Sequence, residues 1–280
     1  KVAAAECTLW FSVPSLLMFL QTMKATDGKN LRSIRRFVFG GEGYPKAKLK
    51  QLYDAYPNSK FINVYGPTEC TCICSSYQLG AQDFLELQGL PPLGQIADNF
   101  AYLILNDAGQ PVSPGEPGEL CLLGPNVGRG YYNDPERTAA SFVQNPCHDK
   151  YQEWMYKTGD LVRLNPADSK LYISGRRDNQ IKHQGYRIEL EEIEAALACL
   201  DYVAEAAVLH TTSNGLSRIH AVLAMRQEFS DEQIRTDLKR FLPAYMIPAA
   251  FYREAALPKN ANGKVDRRLL VEKYFPGQSQ

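Results

Sequence analysis

The chain has 280 residues, enough for about two domains that each bury a core, and its 31 basic and 31 acidic residues give no formal net charge. That balance argues against nucleic acid or an anionic membrane surface as a partner, since either would favour a basic excess or stripe. No apolar run approaches the roughly 18 residues of a spanning helix, and no charged start precedes a short apolar core, so a cytoplasmic protein with a small-molecule site is expected. Seven scattered cysteines without secretion signals read as reduced thiols. Cys70, Cys72 and Cys74 alternate, but with no CxxC or His pair nearby the period of two fits one face of a strand better than a zinc site.

The first eighty residues alternate strand and helix. Residues 9–13 read as a strand, and Pro14-Ser15 opens a helix through Leu16, Leu17, Phe19 and Leu20. Residues 36–39 form the next strand, ending in Gly40-Gly41-Glu42-Gly43, and Pro45 starts a helix with Leu49, Leu52, Tyr53 and Tyr56 at helical spacing. A third strand, residues 60–65, must stop at Gly66-Pro67, because proline cannot continue a central ladder. This order implies parallel strands with crossover helices, which puts the Gly-Gly-Glu-Gly turn and Thr68-Glu69 at one sheet edge, where ligands bind in such sheets.

From about residue 90 to 174 the texture becomes short strands split by Gly, Pro, Asn and Asp, among them 101–105, 118–123 and 170–174. That is the signature of an antiparallel barrel or sandwich. Gly124, Gly128 and Gly130 follow such a strand without opening a clear helix, so they read as turn glycines rather than a phosphate loop. Beyond Gly175-Arg176 the pattern is compact α+β. It has a helix over 191–200, a hairpin from 205–210 to 219–225 across Ser213-Asn214-Gly215, and a helix ending at Pro243 with Ser230 and Gln233 as its capping box. Only the terminal residues 276–280 look like linker.

Several segments carry chemistry. Asn63-Val64-Tyr65-Gly66-Pro67-Thr68-Glu69 joins a ring, a forced turn, a hydroxyl and a carboxylate. Tyr156-Lys157-Thr158-Gly159-Asp160-Leu161 places a carboxylate after a turn, able to accept from two adjacent hydroxyls. Then come Gly175-Arg176-Arg177-Asp178-Asn179-Gln180-Ile181-Lys182, Gly185-Tyr186-Arg187-Ile188-Glu189-Leu190, Leu242-Pro243-Ala244-Tyr245-Met246-Ile247-Pro248 and Asn262-Gly263-Lys264-Val265-Asp266-Arg267. Taken singly, Tyr65 could be a core ring, Asp160 a turn residue, Asp178 an exposed loop aspartate and Lys264 plain surface. In this order and spacing the set resembles the adenylate-forming enzymes of the ANL superfamily. The resemblance is strongest to the amino-acid adenylation domains of nonribosomal peptide synthetases and the D-alanine carrier-protein ligases, and it runs essentially end to end.

The resemblance implies a partial ANL-type adenylation fold, with the remainder of the large subdomain over 1–176 and a mobile α+β subdomain over 177–280. It implies that Tyr65 stacks on adenine, Thr68 contacts the α-phosphate, Glu69 helps hold Mg2+, and Asp160 binds the ribose hydroxyls with Tyr172 and Arg176 beside it. Gly41, Glu42 and Gly66 complete the nucleotide set. Asp178 corresponds to the hinge about which the small domain swings between two catalytic poses. Lys182 and Gly185 would line the tunnel for the carrier's phosphopantetheine arm, and Lys264 would bridge the attacking carboxylate and the α-phosphate. The substrate pocket maps to Phe11, Val38, Gly40, Val64, Cys72 and Ile73, all uncharged, with Gly40 leaving space.

The implied activity is ATP-dependent formation of an aminoacyl-adenylate and transfer to the phosphopantetheine thiol of a peptidyl or acyl carrier protein, beside neighbouring synthetase domains. The family's loop for the β- and γ-phosphates and the aspartate for the α-amino group have no counterpart here. The expectation is therefore an incomplete portion, a split subunit or trimmed fragment, inactive alone. An aryl or fatty acyl ligase, a luciferase-like oxidase and a non-catalytic nucleotide- or partner-binding remnant are the alternatives.

Overall fold

The computed structural model describes residues 1–213, 216–260 and 264–277, and the chain divides into two compact units, Lys1–Asp178 and Asn179–Gln280. Asn214 and Gly215 of the expected turn, the Asn262-Gly263 pair and residues 278–280 of the expected linker lie outside the described residues.

The first unit opens with β1 (Leu9–Ser12), α1 (Pro14–Thr22), β2 (Arg36–Gly40), α2 (Lys46–Ala55) and β3 (Lys60–Tyr65). The three strands are parallel neighbours, continued by antiparallel β4 (Ser75–Gln78) and β5 (Gln95–Ile96). Side chains alternate across the sheet. Phe37, Phe39 and Phe61 therefore share one face, where they pack with Leu17 and Met18 of α1 and Leu49 and Leu52 of α2. Register places Phe11 beside Val38, Val38 beside Ile62 and Gly40 beside Val64 on the opposite face. Because β2 and β3 are parallel and in register, their carboxyl ends deliver Gly41-Glu42 and Gly66-Pro67-Thr68-Glu69 to the same edge.

The second sheet holds β6 (Ala101–Leu105), β7 (Pro117–Leu123), β8 (Phe142–Gln144), β9 (Trp154–Asn165) and β10 (Lys170–Arg176), with α3 (Pro135–Ser141) before β8. It runs β10-β9-β7-β6, with β8 also on β9, and among the described residues it is open, so of the two expected forms it is not a closed barrel. Its two ends are otherwise engaged. Leu105 of β6 bridges Pro111, which has no N–H to extend a ladder, while Leu171 of β10 bridges Gly94 at the entrance to the first sheet. The cysteine alternation is also not a strand face. Thr68–Cys70 is a short 3₁₀ turn, Thr71 and Cys72 are left-handed at φ 59° and 79°, and Cys70 and Cys74 are buried while Cys72 is exposed.

The second unit begins with the hairpin β11 (Gln180–His183) and β12 (Tyr186–Glu189), then α4 (Leu190–Ala198). Strands β13 (Val203–Ser213), β14 (Leu216–Met225) and β15 (Ala250–Glu254) form one sheet, with β13 antiparallel and β15 parallel to β14. Helices α4 and α5 (Asp231–Leu238) pack Ile193, Leu197, Ile234 and Leu238 on one face, and α6 (Arg267–Tyr274) packs Leu270 and Val271 on the other. Helix α5 ends at Leu238, short of Pro243, where the N–H groups of Arg240 and Phe241 pass to tighter three-residue turns on the Asp237 and Leu238 carbonyls. Half of the capping box forms. Ser230 Oγ accepts from Gln233 N at 3.2 Å, but the Gln233 amide points forward to Asp237 Oδ1 at 3.0 Å.

Candidate active site

Strand β9 carries Thr158-Gly159-Asp160 in a bulge. Glu119 of β7 lies opposite Leu161 and Cys121 opposite Lys157, so Leu120 alone faces three residues of β9. Bulges re-aim side chains at functional positions. Gly159 sits at φ 72°, and a Cβ there would meet Arg176 Nη2 at 2.7 Å and Asp178 Oδ2 at 2.8 Å, so only glycine suits it. Thr158 Oγ1 donates to the Leu120 carbonyl at 2.7 Å and accepts from Asp160 N at 3.0 Å, which locks the bulge.

Asp160 is 3% exposed. Its Oδ2 accepts from the Tyr65 hydroxyl at 2.6 Å, and its Oδ1 from Arg176 Nη1 at 2.5 Å. The same guanidinium forks onto Asp178, with Nε and Nη2 each 2.7 Å from a carboxylate oxygen. Burial works against the Arg176 charge, but Asp178 and Asp160 outweigh it and hold its pKa above the ordinary value. The Tyr65 phenol is raised by burial first and then by the Asp160 charge, so it stays a proton donor. Its ring is 5% exposed among Leu120, Leu122, Tyr156 and Val162. Tyr65 thus packs as a core ring while its hydroxyl meets Asp160.

Glu69 accepts from the Tyr131 hydroxyl at 2.6 Å, and its backbone carbonyl accepts from Gly128 N at 2.8 Å. Burial and the Glu69 contact raise the Tyr131 phenol. Neither Tyr131 nor the Gly128 contact is foreshadowed in the sequence reading, in which those glycines are turn residues only. Thr68 is exposed beside Glu69. Glu42 Oε2 accepts from Ser15 N at 2.9 Å, in the first turn of α1, while Gly41 takes φ 84°. Tyr172 is not brought to Asp160. It pairs with Arg163, and its hydroxyl donates to Asp168 Oδ2 at 2.7 Å, four residues up the strand from Arg176.

Of the pocket positions, Phe11, Val38, Gly40 and Val64 share the sheet face away from the helices, and Phe11 is 58% exposed. Cys72 and Ile73 are exposed in the turn that folds back on Gly66, where a Cβ would meet the Cys72 carbonyl at 2.0 Å. Gly40 does not leave space. A Cβ there would meet the Val64 carbonyl at 2.2 Å, so its missing side chain serves close packing of β2 on β3.

In the second unit, Gln184 and Gly185 have φ 51° and 86° between paired His183 and Tyr186, a two-residue turn of the type that favours glycine. Lys182 lies on β11, opposite Arg187. Lys264 is exposed, and its N–H donates to Asn260 Oδ1 at 3.1 Å while its carbonyl accepts from Asn260 N at 2.7 Å. Asp266 caps α6 through Leu269 N at 3.2 Å.

Residues 2–132 match the AMP-binding enzyme family, and residues 192–264 match the AMP-binding enzyme C-terminal domain. The chain belongs to these adenylate-forming enzymes. Within them it is 37% identical to surfactin synthase subunit 2 of Bacillus subtilis (strain 168) over 92% of this chain and 7% of that protein. It is 32% identical to the D-alanine–D-alanyl carrier protein ligase of Bacillus velezensis over 98% of this chain and 54% of that enzyme. The solved structure of a holo NRPS protein containing adenylation and PCP domains, bound to a vinylsulfonamide inhibitor, superposes with a TM-score of 0.81 at 28% identity, over 97% of this chain and 46% of that one. The chain therefore spans about half the length of the D-alanine ligase and a small part of the synthetase. Among the described residues, no helix is long and apolar enough to cross a membrane.

Proposed function

We propose that this chain supplies the nucleoside and α-phosphate portion of a domain that activates an amino acid as its adenylate and passes the acyl group to a carrier-protein thiol. The observation that carries the reading is the Asp160 carboxylate, buried at 3% exposure and oriented by Tyr65 and Arg176 at the edge of a bulge. A carboxylate so fixed offers two acceptors to a vicinal diol without reorganising, which suits a ribose. The matches to a D-alanine carrier-protein ligase and to an adenylation protein with a PCP domain support an amino acid as substrate and a phosphopantetheine carrier as partner.

Glu69 fits a Mg2+ site. Mg2+ is commonly held by one or two carboxylates together with substrate phosphates and water, and Glu69 is a single carboxylate steadied by Tyr131. When bound, the ion would offset charge on the phosphates. Thr68 next to it would donate to the α-phosphate. Lys264, a flexible point charge, would ease the approach of the substrate carboxylate to the phosphorus. Asp178, last residue of the first unit, is the proposed hinge, and Lys182 with Gly185 the proposed wall of the carrier-arm tunnel.

The test is acid-dependent exchange of pyrophosphate into ATP, and carrier loading, by the complete domain that contains this chain. Exchange with amino acids is expected. Exchange with aryl or fatty acids alone would move the reading to a sibling ligase, and nucleotide binding with no exchange for any acid would leave a non-catalytic role.

A further inference from the structure

We infer that Glu119 is a positioning residue for the ribose site, the group that holds the bulge from which Asp160 projects. The inference deepens the proposed function and rests on Asp160 being the ribose acceptor. Strand β7 is otherwise glycine and apolar residues from Gly118 to Leu123, yet Glu119 lies within it at 4% exposure. A carboxylate buried in such a strand is costly unless it is paired and hydrogen-bonded. Here both oxygens are used. Oε1 accepts from the Gly159 N–H at 3.0 Å, the donor left without a ladder partner by the bulge, and Oε2 accepts from Arg177 Nη1 at 2.8 Å.

Those two partners are the chain neighbours of the site's two charged groups. Gly159 precedes Asp160, and Arg177 follows Arg176. The Arg177 N–H in turn donates to the Gly159 carbonyl at 2.8 Å, which closes a ring through Glu119, Gly159 and Arg177. Lys157 Nζ, 3.9 Å from Glu119 Oε2, adds a second cation to the same carboxylate. One buried charge therefore holds the backbone before Asp160 and the side chain after Arg176. An apolar residue at 119 would fill the strand equally well but leave the Gly159 N–H unpaired. Glu119 does not itself reach Asp160. It acts through the shape of the bulge.

The test is calorimetric titration of the whole chain, as wild type, Glu119→Gln, Arg177→Gln and Asp160→Ala, with AMP and with 2′,3′-dideoxy-AMP, alongside a thermal melt. Wild type is expected to prefer AMP. In Glu119→Gln the affinity for AMP should fall by about tenfold while that for the dideoxy nucleotide holds, so the preference collapses. A merely structural glutamate would lower the melting temperature and weaken both nucleotides alike, and that outcome, or an unchanged preference, overturns the inference. Should Glu119→Gln not fold, Arg177→Gln cuts the outer arm at a part-exposed side chain. It should reduce the preference, and a preserved one counts against the inference in the same way. If Asp160→Ala abolishes the preference and Glu119→Gln keeps it, only the role of Glu119 falls. If wild type shows no AMP binding or no preference, or Asp160→Ala keeps it, the ribose reading fails and the inference with it.

Discussion

The Tyr65 hydroxyl donates to Asp160 Oδ2 at 2.6 Å across 95 residues of sequence, joining the end of β3 in the first sheet to the bulge of the antiparallel one. The bond ties a buried core ring to the carboxylate proposed to hold the ribose. Tyr65→Phe keeps the ring in its core but leaves a buried carboxylate oxygen with one donor fewer, a loss of about 1.5 to 3 kcal/mol for a hydrogen bond to a charged group. Chemical denaturation of the chain should show a shift of that size with an unchanged denaturant slope. A shift within experimental error would mean that Asp160 is adequately satisfied by Arg176.

Asp160→Ala removes the acceptor to which Tyr65 and Arg176 both point. In the complete domain, affinity for ATP should fall by roughly tenfold or more, as expected for lost hydrogen bonds to a charged group. Calorimetry that finds ATP binding unchanged in a folded variant would return Asp160 to the status of a turn aspartate.

A pH effect is expected in the second unit. His183 Nδ1 and His210 Nε2 both lie 2.7 Å from Ser217 Oγ, and His220 Nε2 lies 2.9 Å from Thr211 Oγ1. Burial, then the neighbouring His183 and His220, lower His210 from 6.5 to about 4, and burial followed by Arg218 lowers His220. A depressed folded pKa means that the unfolded chain binds more protons. The stability from neutral His210 is therefore fully present above about 6.5 and lost as pH falls toward 4. His210→Gln keeps a polar group at the Nε2 position without the titration, so its melting temperature should decline less steeply than wild type between those values. Parallel declines would show that His210 does not drive the effect.

The parallel half of the first sheet was legible because hydrophobic runs, Pro14, Pro45 and Gly66-Pro67 punctuate it locally. The open edge of the second sheet was not, because closure depends on which strands find each other, and Gly94 meets Leu171 there from a distant part of the sequence. For the site, Asp160 and Arg176 stood out through their motifs, and the structure joins them. The resemblance sets Tyr172 with them, but along the strand it pairs with Arg163, and it is Arg176 that lies opposite Asp160. Glu119 left one sign, a lone carboxylate in an apolar strand, whose meaning appears only once the Thr158–Asp160 bulge is opposite it. A missing side chain at Gly40 suggests space only until the Val64 backbone, which a sequence does not reveal, is seen beside it.

The proposed roles of Lys264 and Gly185 predict a double dissociation in the complete enzyme with its carrier protein. Lys264→Ala should slow adenylate formation by about 10²- to 10³-fold, the loss typical of one preorganised donor. Thioester formation from a preformed adenylate should survive, since that step no longer sets two anions against each other. At Gly185 the φ of 86° in a two-residue turn strains most side chains on its own account. Asparagine tolerates the left-handed region, so Gly185→Asn adds bulk with the least disturbance of the turn. It should leave adenylation near wild type and slow transfer to the carrier thiol. Single-turnover measurement of each half-reaction separates the two effects. If both variants slow both steps equally, Lys264 and Gly185 serve the architecture of their unit rather than separate chemical steps.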